Sequence, residues 1–243
     1  MGANMSISYT REELLDRCNE AINDVETFYT KGFVNYQGKI KGEDTLYTEV
    51  VAEFILNHID AFKEINPISR TKRKKTYNMH HTGEHNPKSI RNEEVIAMQM
   101  FNQSKKGFRM NQVGKIIDYQ TPLKSSMSDK AGKIDLLSES DETVYILELK
   151  KKRSKETMLR CVLEAYTYLR LVDEKQLLGD FNIDSAKSVY AAPLVFWGGS
   201  QWNEMQETRK HPKLIELMKE LEIKGPFYVK TDVLYDVAAT PTH

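Results

Sequence analysis

Cysteine is scarce in this chain. Cys18 and Cys161 stand far apart, both in helix-like text. Two such thiols do not build a disulfide framework, and no C-x-x-C pair offers a zinc site. Buried free thiols in a reducing compartment are expected instead. Net charge is lacking as well: Lys+Arg 35 and Asp+Glu 35 cancel. That excludes a whole-protein field attracting a polyanion and leaves such binding to a local patch. Long apolar runs are also missing, none approaching the roughly 20 residues of a membrane span. The opening MGANMSISYTREELL has no apolar signal core, so a cytoplasmic protein without membrane contact is expected. There is no internal repeat and no low-complexity tract. Ser154 and Ser200 have no His/Asp context for serine-hydrolase chemistry.

The 243 residues suffice for one large domain or two small ones, and 40% apolar with 29% charged residues reads as an ordinary globular chain. Residues 10–30 form an amphipathic helix in this reading, opened by a Thr10/Glu13 capping box, with Leu14, Cys18, Ala21, Ile22 and Val25 at helical spacing. A second helix is expected over 46–65, with Val50, Val51, Phe54, Ile55, His58 and Phe62 on one face. Residues 66–89 break the pattern as a long, basic, polar loop. A helix from about Arg91 to Ser104 follows. The period then changes to that of strands at 112–120, KIDLLSE and TVYILELK. A helix over 154–172, a buried strand SVYAAPLVFWGG, a helix interrupted or started near Pro212 and a last extended stretch PFYVKTDVLYDV complete the order. The fold class predicted is α/β (or α+β): a mixed central sheet flanked by helices, with an N-terminal helical addition. The divisions are 1–65, 66–89 and 90–243, expected to form one compact unit.

The stretch KIDLLSESDETVYILELK sets acids and a lysine among apolar residues. With its tip at SDE, a hairpin places Leu137 opposite Ile146 and Asp135 opposite Glu148. Directly opposed residues share a face, with Cβ atoms roughly 5 Å apart. Lys150, two residues on, shares it too. Two carboxylates so close repel unless a cation or Lys150 compensates, which suits Mg²⁺ or Mn²⁺ held by one or two carboxylates. Exposed acids at a solvated strand end are the alternative. Tyr145, Leu147 and Leu149 would fill the core on the other face.

Asp135, twelve residues and then Glu148-Leu149-Lys150, set in strand–strand–strand–helix–strand order over residues 90–200, resembles the PD-(D/E)XK nuclease superfamily. That resemblance implies a restriction-endonuclease-like core over 90–243. It implies Mg²⁺ (or Mn²⁺) bound by Asp135 and Glu148, water assisted by Lys150, and hydrolysis of phosphodiesters, DNA favoured over RNA. A glutamate from the preceding helix, Glu94 or its neighbour Glu93, would join the metal. Glu164 and Tyr168 occupy the places where members of the family carry a glutamine and then a tyrosine. Glu164 is either a further ligand or, in the preferred reading, a salt-bridge partner of Arg160. Lys133-Ile134 stands where the motif's proline would be.

Lys151, Lys152 and Arg153 beside the motif, and Arg73 and Lys74 in the run Arg70–Lys75, are candidates for phosphate contact; a solvated loop is the alternative for that run. The histidines of MHHTGEH match no zinc spacing and read as an exposed loop. Trp197, Tyr166 and Tyr168 have faces that could stack bases, although Trp197 is expected in the core at its strand end. The N-terminal helices leave room for a homodimer or a partner. A catalytically inactive nucleic-acid-binding or protein-interaction module on the same fold is the rival reading.

Overall fold

The computed structural model describes residues 8–65, 75–84, 92–123, 132–230 and 235–238. Helix α1 (Arg11–Ala21) starts on the predicted capping box: Thr10 Oγ1 accepts from the Glu13 amide and Glu13 Oε2 from the Thr10 amide. It ends earlier than its apolar spacing suggests. Ile22–Thr30 continues as a 3₁₀ helix with a break at Asp24. There Asn23 donates to Glu20 O and Thr27 to Asp24, side-chain bonds that compete with the helical ladder.

The second predicted helix is likewise two, α2 (Tyr47–Asn57) and α3 (Ile59–Lys63), parted at His58. The His58 ring lies 2.8 Å from Phe54 O, the carbonyl its own amide would otherwise use. Its ring is exposed and stacked on Phe54 rather than buried. Helix α4 (Asn92–Lys105) falls where it was expected.

Among the described residues, six strands form one sheet in the order β1 (Lys115–Pro122), β2 (Lys133–Glu139), β3 (Thr143–Lys150), β4 (Ser188–Phe196), β5 (Phe227–Val229) and β6 (Val237–Ala238). The first three make an antiparallel meander. β4 and β5 add in parallel, and β6 returns antiparallel. The strand predicted from Gln112 starts at Lys115, because Met110 bridges Gly114 and closes a turn there.

The crossover from β3 to β4 carries α5 (Met158–Leu171) and a helix the sequence reading lacked, α6 (Glu174–Asp180). The signal for α6 was present: Asp173 accepts from the amide of Gln176, an N-cap. Helix α5 begins later than predicted because Thr157, not Ser154, is its cap. From β4 to β5 the chain runs through α7 (Ser200–Gln206), a 3₁₀ turn and α8 (Pro212–Glu220), with proline at its first turn as expected.

The sheet separates two apolar layers. On one face Leu137, Val144, Ile146, Ala191 and Val195 meet Leu159, Val162 and Leu163 of α5. That layer runs without interruption into Phe28, Val34, Phe54 and Ile55 of the N-terminal region. On the other face Leu136, Leu147, Leu149 and Leu194 meet Ala97, Met100 and Phe101 of α4. The described part of the basic loop, 75–84, contains no helix or strand, yet Tyr77 within it is fully buried and its amide donates to Asp180. Cys18 and Cys161 are free and buried, as expected. Among the described residues, no helix is long and apolar enough to cross a membrane.

Candidate active site

The β2–β3 hairpin pairs in the predicted register, Leu137 with Ile146 and Leu136 with Leu147. Leu147 and Leu149 fill the α4 layer and Tyr145 packs on it, so Glu148 and Lys150 point to the α5 side. The ladder stops at Leu136. One residue on, the Asp135 carboxylate takes the Leu149 amide, Oδ2 accepting at 3.0 Å. Its Oδ1 accepts from Gln120 Nε2 at 2.9 Å. Gln120 holds a φ of +51° inside β1, a left-handed conformation uncommon for a side-chain-bearing residue and found where surroundings enforce it.

Burial pushes the Asp135 carboxyl up to about 6, against the pull of Lys150 and the Leu149 amide. Glu148 is raised well above the carboxylate range, by burial first and then by the charges of Asp135 and Glu164. Its Oε1 accepts from Lys150 Nζ at 2.7 Å, while its buried Oε2 has no hydrogen-bond partner among the described residues. Such an atom is costly to bury unless something else meets it. Burial opposes the charge of Lys150, but Glu148 and Glu164 outweigh it and hold the ammonium above its ordinary value.

Helix α5 supplies the other wall. Glu164 Oε2 lies 3.1 Å from Lys150 Nζ, and Glu164 Oε1 accepts from Tyr168 Oη at 3.0 Å. Helical i,i+4 spacing sets both on the face toward β3. The predicted Arg160 partnership is therefore minor: Arg160 Nε is 4.0 Å from Glu164 and 3.0 Å from Glu156. Glu156, missed in the sequence, folds back to 2.7 Å from Lys150 Nζ. Lying inside KKRSKE, it carried no signal beyond being the one acid in a basic run. Gln120 was missed too, since nothing in β1 marks its backbone. The Cys161 thiol, 3.7 Å from Glu148 O, is pushed up by burial and is no nucleophile.

Glu93 of α4 reaches the site. Its Oε1 accepts from the Lys151 amide at 3.2 Å, and its charge adds to the rise at Asp135. The charge of Glu94 acts on Tyr119. Glu148, Glu156 and Glu164 thus touch one ammonium, with Asp135 and Glu93 beside them, an excess of acids that suits a hard cation. Asp135 and Glu148, the latter through its unmet oxygen, are the pair fit to hold one. Among the described residues no three His, Cys, Asp or Glu side chains form a ready-made cage. One or two carboxylates with water suffices for Mg²⁺. A cleft of about 590 Å³, lined by Lys155, Glu156, Thr157 and Glu204, opens beside Glu156.

Lys151 is half-buried; Lys152 and Arg153 are exposed at the exit of β3. Arg70, Lys72, Arg73, Lys74 and His85 lie outside the described residues. His80 is exposed, but His81 is not a free loop residue: its Nδ1 lies 2.7 Å from buried Asp118. Tyr166 and Tyr168 are buried, so their faces do not reach a base. Trp197, expected in the core, is 38% exposed. No protein-family model, curated protein or solved structure matches this chain.

Proposed function

We propose that this chain is a metal-dependent nuclease on a PD-(D/E)XK-like core, cleaving phosphodiester bonds with DNA as the favoured substrate. The observation that carries the reading is the unpartnered buried Glu148 oxygen beside Asp135, with Lys150 on the same face. The order β1, β2, β3, α5, β4 supports it, being the order in which the motif's residues are expected. Asp135 and Glu148 would hold Mg²⁺ or Mn²⁺, which supplies charge to polarise a scissile phosphate. Glu93, whose carboxylate accepts from the Lys151 amide, would assist them. Lys150 orients the attacking water and meets charge developing on the phosphate oxygens. Gln120 and the Leu149 amide aim the Asp135 carboxylate, and Tyr168 fixes Glu164 against Lys150.

A non-enzymatic binding module is favoured by one observation: the Lys150 ammonium already sits against Glu148, Glu156 and Glu164. The two readings separate on circular single- and double-stranded DNA incubated with Mg²⁺ or Mn²⁺, beside EDTA and Glu148→Ala controls. Nicking that needs the metal and disappears in the variant is the expected result. Absence of cleavage, with no Mn²⁺ bound in a parallel titration, assigns the fold to binding alone.

A further inference from the structure

Trp197 ends up outside the core for a topological reason. β3 and β4 are parallel with Lys150 beside Val195, so both strands leave the sheet at the end that carries Glu148 and Lys150. The chain emerging from β3 is Lys151-Lys152-Arg153, and the chain emerging from β4 is Trp197-Gly198-Gly199. The two exits touch. A Cβ on Gly199 would come within 3.0 Å of Lys152 O, so glycine lets this turn lie directly on the lysine backbone. Trp197 is propped from behind by Trp202, ring centroids 5.1 Å apart, and edge-on by Tyr228 at 6.1 Å. Its amide is anchored to Val229 O at 2.9 Å. It is thus a supported indole at the strand end that carries Glu148 and Lys150.

Exposed cations stand beside it. Lys152 and Arg153 have no ion-pair partner among the described residues. An exposed indole beside free cations is the combination that holds single-stranded nucleic acid: cations follow the phosphates, and an aromatic face stacks an unpaired base whatever its identity. A paired base has both faces covered by its neighbours and gives Trp197 nothing to stack on.

We infer that Trp197, with Lys152 and Arg153, is a stacking platform that selects single-stranded nucleic acid, or an unpaired stretch within a duplex, at the strand end that carries the site. This deepens the nuclease reading by naming the substrate's form. The test keeps the two apart by measuring binding in EDTA, where cleavage plays no part. Anisotropy titrations use the full chain with fluorescent 20-nucleotide oligo-dT, oligo-U and a 20-base-pair duplex. The expected result is tighter binding of at least one single strand than of the duplex. Trp197→Ala should then lose roughly tenfold for that strand and leave the duplex unchanged. Trp197→Phe should retain most of the affinity, and Trp197→Ala, which gives up packing on Trp202 and Tyr228, should melt lower yet remain folded by circular dichroism at the titration temperature. Equal affinity for strand and duplex, or an unchanged single-strand affinity in Trp197→Ala, overturns the inference even if the enzyme cleaves. Trp197-dependent binding without any cleavage sustains it and removes only the nuclease reading.

Discussion

Lys150 presses one ammonium against Glu148, Glu156 and Glu164, and its neighbourhood is more acidic than it can neutralise. Replacing it with methionine leaves buried carboxylates without their cation, which costs about 3–5 kcal/mol where a buried pair is broken. Urea denaturation of Lys150→Met is expected to show a loss of that order. Asp135 carries the pH dependence. Its carboxyl is raised to about 6, so its stabilising contribution is full below the ordinary carboxylate pKa and is lost as pH rises through about 6. A metal requires the deprotonated form, so the dependence on metal runs the other way. The rise in melting temperature on adding Mn²⁺ should grow between pH 5 and pH 7.5, and Asp135→Asn should diminish that growth, Glu148 retaining its share. An equal rise at both pH values would remove Asp135 from the proposed metal site.

Helix and strand ends decide where these side chains meet. The start of α5 is held from three directions: Thr157 donates to Val34 O, Asn35 accepts the Thr157 amide, and Glu204 of α7 accepts the Met158 amide. Burial pushes Glu204 up to about 7. The folded chain therefore carries a penalty for its charge at pH 8 that vanishes as pH falls below the ordinary carboxylate value. Glu204→Gln keeps an acceptor for the amide and should stabilise by roughly 1–3 kcal/mol at pH 8 and negligibly at pH 4, measured by denaturant titration. On the opposite side, Gly132 leads into β2 under Tyr168, where an added Cβ would fall 2.2 Å from the hydroxyl. Tyr168 is buried and bonded to Glu164 and has little room to retreat. Gly132→Ala should destabilise by about 1–3 kcal/mol, as overpacking does, and should lower cleavage by displacing Tyr168.

Across the whole molecule, one apolar layer joins the N-terminal helices to the sheet through α5, with Tyr29 edge-on to Tyr168. A chain without residues 8–65 should expose that layer, bind an apolar dye and lose its near-ultraviolet circular dichroism. Cooperative unfolding of such a chain would show instead that the region is an appendage. The hairpin was legible before folding because a two-residue period and a short polar tip leave a single register that buries Leu136, Leu137, Ile146 and Leu147. The Thr10 cap was legible because all its partners lie within one turn. Helix breaks at Asp24 and His58 were harder: they come from side chains competing with the backbone, and apolar spacing runs straight through them. The meetings of Gln120 with Asp135, Glu164 with Lys150, Glu93 with the Lys151 amide and Trp197 with open solvent depend on sheet twist, a bulge in β1 and the crossover that lays α5 on β3. Local pattern thus sets which residues form strands and which face each presents. Only the packed sheet brings distant carboxylates into one dry space, because their mutual repulsion and burial exist only once the chain has closed around them.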